Sequence, residues 1–152
     1  MPRKYPYYPA WDGGKASELI LRCVDLCGRR YKTKSLGTYV VRDQRDYPGE
    51  LSTHATGYAC DLRYRDEAQA RQIWDFFVLN SKDLGVCAVH WYNYGRNKGL
   101  TGAAYRCDRG EGRKGVKIFK KNELGRGGAW LHIELEGDAD DFEKAFRALK
   151  PA

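Results

Sequence analysis

The chain is predicted to fold as one α+β domain. Amphipathic helical repeats stand near both ends and in the middle, and short strand-like apolar runs lie between them. The length of 152 residues is near the usual size of one domain and long enough to bury a core without disulfide staples. Residues 1–15 are aromatic, polar and Pro-containing and read as an N-terminal extension. In 16–29, Leu19, Ile20, Cys23, Val24 and Cys27 recur at the spacing of a helix buried on one side, with Gly28 near its end. A strand is predicted over 34–42, then a polar loop through Asp46, Pro48 and Gly49. Asp66 is placed to cap a second helix that turns Ala70, Ile73, Trp74 and Phe77 to the core and ends near Asn80. Residues 85–92 read as a strand. The glycine-rich interval 92–126 carries only a short strand-like piece at 116–119. In 130–135, Leu131, Ile133 and Leu135 share one face of a strand and Trp130, His132 and Glu134 the other, which points to solvent or a cleft. A final helix opened by Asp138 presents Phe142, Ala145, Phe146 and Leu149 to the sheet.

Composition narrows the classes. No apolar run approaches membrane-spanning length, and no apolar stretch follows the basic start as a secretory signal would require. The expectation is a chain made in a host cytoplasm without a signal peptide and with no membrane span. Five cysteines, an odd and scattered set, are expected to be reduced, with Cys23 and Cys27 as small core residues. The net charge of +7 is uneven: residues 106–126 carry eight Lys and Arg against three acids, so 8 minus 3, or +5. Such a segment attracts polyanions, whether anionic cell-wall polymers or nucleic acid, and serves equally as a solvated surface loop.

The chemistry concentrates in Ser52-Thr53-His54-Ala55-Thr56-Gly57-Tyr58-Ala59-Cys60-Asp61 and Trp130-Leu131-His132-Ile133-Glu134. Two imidazoles and a carboxylate are the ligand set of an open catalytic zinc site. The odd separation of His54 and Asp61 would place them on opposite faces of one straight strand, so sharing a metal requires a bend, and Gly57 supplies it.

The pattern Ser-x-His-x-x-Gly-x-Ala-x-Asp, followed by an apolar-flanked His, resembles the zinc D-alanyl-D-alanine carboxypeptidase and L-alanyl-D-glutamate endopeptidase family, which has the Hedgehog/DD-peptidase fold. The resemblance spans residues 19–136 in architecture and leaves the first fifteen unmatched. It implies a small, mainly antiparallel sheet flanked by helices, and one zinc ion held by His54, Asp61 and His132. It also implies that Arg42, at the end of Gly37-Thr38-Tyr39-Val40-Val41-Arg42, holds a substrate carboxylate.

The pattern departs from many similar proteins where they carry the general base, at positions here occupied by Ala129 and Trp130. Neither side chain accepts a proton at neutral pH. The ending Trp-x-His-x-Glu fits another branch and makes Glu134 the first candidate base, on the same strand face as His132 and about 7 Å along it. Glu123 and His90 follow. His90 is read as structural or substrate-facing rather than a ligand, and His90, Tyr92 and Trp130 are expected to line the cleft beside Arg42. The function implied is zinc-dependent cleavage of an amide bond in peptidoglycan stem peptides or cross-links by a phage lysin, acting at the cell wall or from the virion. Two other readings stay open: a zinc-retaining wall-binding or virion protein that cleaves nothing, and, ranked last, a basic nucleic-acid-binding protein.

Overall fold

The computed structural model describes residues 2–6, 16–37, 43–44, 47–51, 57–96, 99–120 and 128–151. Helix α1 (Glu18–Tyr31) opens where the Ser17 hydroxyl accepts the Ile20 amide and closes at Lys32, whose left-handed backbone returns its N–H to the Gly28 carbonyl. Its buried stripe contains Leu19, Ile20, Cys23 and Cys27 as predicted, with Leu26 and Tyr31 added, while Val24 stands at the edge of the core. Helix α2 (Glu67–Leu79) is capped by Asp66, which accepts the Gln69 amide at 2.8 Å. A short α3 (Ser81–Leu84), not foreseen, ends at Gly85. Gly85 adopts φ +68, and a Cβ there would stand 2.3 Å from the Glu136 carbonyl oxygen, so no other residue fits without displacing that backbone. Helix α4 (Ala139–Ala148) begins at Asp138, whose carboxylate accepts the Asp140 and Asp141 amides.

These four helices accompany a six-stranded antiparallel sheet in the order β1 (Lys34–Gly37), β4 (Ala59–Arg63), β8 (Trp130–Leu135), β5 (Val86–Trp91), β6 (Ala103–Arg106) and β7 (Val116–Ile118). A separate hairpin, β2 (Asp43–Gln44) with β3 (Tyr47–Leu51), lies where a loop was expected. Strand β6 is not foreseen either, because its Ala-Ala-Tyr-Arg carries little apolar alternation and follows Gly102 directly. The basic stretch from Arg106 is correspondingly no simple loop: it turns at 107–109, forms a 3-10 turn (Gly112–Gly115) and returns to the sheet as β7.

One sheet face fills the core. Cys60, Leu62, Val89, Trp91, Tyr105, Leu131, Ile133 and Leu135 are buried there with the apolar stripes of α1, α2 and α4. Arg30 ties α1 to α4, with its guanidinium 3.8 Å from the Phe146 ring centre and donating to the Phe146 carbonyl at 3.0 Å. Gln69, buried, donates to the Tyr31 carbonyl at 2.6 Å and accepts from the Arg65 amide at 2.7 Å, so the end of α1 and the start of α2 are pinned together. All five cysteines are buried free thiols. No helix among the described residues is long and apolar enough to cross a membrane.

Candidate functional site

Register decides what the opposite face presents. Residues directly paired across antiparallel strands put their side chains on the same side. Asp61 pairs with His132 and His132 with His90, so three polar side chains from β4, β8 and β5 form one row. The next row joins Ala59, Glu134, Ala88 and Arg106. Alanines at 59, 88 and 104 keep this face shallow and leave room for the larger polar groups beside them.

The chain reaches the first row through the predicted bend. Gly57 sits in a turn at φ +77, and its carbonyl accepts the Ser17 amide at 2.9 Å, so the start of α1 fixes the approach to β4. His54 and Arg42 lie outside the described residues, as does Glu123. The other nominated residues are brought to one face: Asp61, His90, Trp130, His132 and Glu134 on the three central strands, and Tyr92 immediately after β5.

His132 is the hub. Its Nδ1 lies 3.0 Å from Asp61 Oδ1 and its Nε2 2.8 Å from Glu134 Oε2. Burial opposes a charge on His132, but the two carboxylates outweigh it and raise the imidazolium well above its ordinary pKa. Burial would likewise raise Glu134, yet the hydrogen bond and charge of His132 bring it down to about 2. His90 stands beside this pair, ring centres 5.0 Å apart, with Nδ1 3.4 Å from the Tyr92 hydroxyl. Burial and then the charge of His132 push His90 down to about 3, so it is neutral. Tyr92 packs edge-on to Trp130 at 6.1 Å and closes that side of the row.

The prediction that this strand face opens to solvent or a cleft needs correction at two positions: His132 and Glu134 are buried. Part of their cover is the N-terminal extension, which sequence reasoning left without a role. Tyr5 donates its hydroxyl to Glu134 Oε1, and Arg106 lies over the Tyr5 ring at 4.0 Å. No spacing rule could have placed Tyr5 here, since 129 residues separate it from Glu134.

A zinc ion, if held as the sequence pattern implies, would draw on Asp61 and His132, and these fit it. A carboxylate and an imidazole converge at hydrogen-bonding distance, and two carboxylates on one imidazole leave negative charge for a cation to neutralise. Among the described residues no group of three or more His, Cys, Asp or Glu is placed to hold a metal. No family model matches the chain, and neither does any curated protein or solved structure.

Proposed function

We propose that the protein is a zinc-dependent peptidase of the D-alanyl-D-alanine carboxypeptidase and L-alanyl-D-glutamate endopeptidase type, with a Hedgehog/DD-peptidase-like fold, acting on peptidoglycan stem peptides or cross-links as a phage lysin. The observation that carries the reading is the 3.0 Å approach of His132 Nδ1 to Asp61 Oδ1, two ligand types separated by 71 residues in sequence and paired in register across β4 and β8. His54, three positions before Gly57 in the sequence, would complete the set. Zinc held by these residues would supply Lewis-acid chemistry, activating a water and polarising the scissile carbonyl. The amide C–N bond breaks, the carbonyl carbon gains hydroxyl and the leaving nitrogen gains a proton. Arg42 would grip a stem-peptide carboxylate through its planar fork, and His90, Tyr92 and Trp130 would shape the wall. The positive charge of Arg106 and the segment after it favours approach to anionic wall polymers.

A second reading is favoured by a specific feature. Ala129 and Trp130 stand where similar proteins carry their base, and both oxygens of Glu134 are already engaged, which suits a zinc-retaining wall-binding or virion protein without turnover. Metal analysis of protein purified without added metal, paired with a peptidoglycan digest read by mass spectrometry, separates these. One zinc per chain with new amine and carboxyl ends supports the peptidase. Zinc without new ends supports the second reading, and a chain without zinc, unchanged by His54→Ala, overturns both.

A further inference from the structure

Residues 2–6 are fastened across the sheet with more contacts than an idle terminus needs. The Arg3 amide donates to the Cys107 carbonyl at 2.9 Å. Its guanidinium bonds Glu111, reaches Glu136 at 2.7 Å, and donates to the backbone carbonyls of Val86 and Ser81. Glu111 in turn accepts from Ser81 Oγ at 2.9 Å, so the anchor is itself braced. Two residues on, Tyr5 is pinned between the Arg106 guanidinium and Glu134. A chain of hydrogen bonds continues from there: Tyr5 Oη donates to Glu134 Oε1, His132 Nε2 donates to Glu134 Oε2, and His132 Nδ1 meets Asp61 Oδ1.

We infer that Glu134 is a positioning residue for His132, not the proton acceptor for water, and that Tyr5, delivered by the Arg3-anchored N-terminal strap, is the positioning residue that holds Glu134 in place. The inference rests on the zinc reading above. A metal-binding imidazole works best when its second nitrogen donates to a carboxylate, which fixes ring orientation and tautomer and makes the ligand nitrogen more basic. Here Nε2 faces Glu134, leaving Nδ1 as the nitrogen that faces the other ligand, Asp61. A carboxylate whose two oxygens are held by an imidazole N–H and a phenol O–H cannot swing without breaking one of the bonds. Such a residue is built to orient, whereas a base must be free to meet the water's proton.

Zinc affinity, measured by chelator competition on folded full-length protein, distinguishes the roles. Glu134→Gln is expected to weaken zinc binding about tenfold to a hundredfold. Tyr5→Phe, which keeps the ring under Arg106 and removes only the hydroxyl, is expected to weaken it about twofold to tenfold. Phe146→Leu, a core change remote from the site, should lower stability and leave zinc affinity unchanged, showing that affinity does not simply follow stability. Zinc affinity within twofold of wild type in Glu134→Gln, with turnover lost, would make Glu134 the base and overturn the inference. So would unchanged affinity in Tyr5→Phe. If the wild-type chain binds no zinc, the peptidase reading fails by itself and the relay is read in the metal-free protein by NMR: the downfield His132 Nε2–H proton must be lost in Glu134→Gln and displaced in Tyr5→Phe, and an unmoved resonance ends it.

Discussion

The two faces of the central sheet use the same strands for opposite purposes. On the helix side, Leu131, Ile133 and Leu135 are fully buried among side chains that ask only for volume and contact. One residue away along β8, His132 and Glu134 are nearly as buried, but every polar atom that they bring must be matched by a partner of the right sign and direction. The apolar face tolerates shape-conserving change and punishes lost volume. The polar face tolerates little change of chemistry, because each group there is held by the next.

The largest expected effect breaks the core side of that contrast. Ile133→Ala should cost about 2–5 kcal/mol of folding stability, read by denaturant titration, because the cavity lies between sheet and helices where neighbours cannot collapse freely. If zinc fills the proposed site, its stoichiometry in the remaining folded protein should not change. A loss of metal in that variant would show the two faces to be coupled through the strand itself.

An intermediate effect belongs to the polar face and is read through pH. His90 has its pKa lowered from 6.5 to about 3, so the unfolded chain binds the proton and the folded chain does not between those values. Its contribution to stability is therefore complete above pH 6.5 and is lost as pH falls toward 3. Glu134, lowered from 4.5 to about 2, adds a second loss below 4.5. His132 has the opposite sign: in the metal-free protein its contribution is present below pH 6.5 and lost as pH rises through its raised value. His90→Phe should flatten the limb between pH 6.5 and 3 in a series of thermal midpoints, and an unaltered limb would show that His90 is charged in the fold.

The smallest effect lies at the rim. Arg106→Gln removes the cation over Tyr5 and the 2.8 Å pairing with Asp108, both partly exposed, and should cost about 0.5–1 kcal/mol. A larger loss in thermal unfolding would mean that the strap depends on Arg106 and not chiefly on Arg3.

Much of this was legible in the residues. The helical repeats at Leu19 to Cys27 and Phe142 to Leu149, and the alternation of Leu131, Ile133 and Leu135, are local patterns whose period follows from backbone geometry. Strand β6 and the short α3 were missed because Ala103-Ala104 and Ser81-Lys82 carry weak periodic signals that tertiary packing overrides. At the site, His132 and Glu134 could be assigned to one face from spacing alone. Their pairing to each other through Nε2, the opposite charge states of His132 and His90, and the arrival of Tyr5 could not.

By itself, then, the sequence determined the α+β order, the core faces, the glycine at the bend and the shared strand face of His132 and Glu134, since each depends on residue type and short-range spacing, while the grouping of Asp61 with them was implied by the resemblance of the motifs. Only the tertiary structure decided that Asp61, His132 and His90 stand in one row, that both oxygens of Glu134 are taken, and that the first residues of the chain return to cover them. Strand register and the docking of a terminus are set by contacts between residues up to 133 positions apart, and no local pattern encodes which of many such pairings the folded chain will choose.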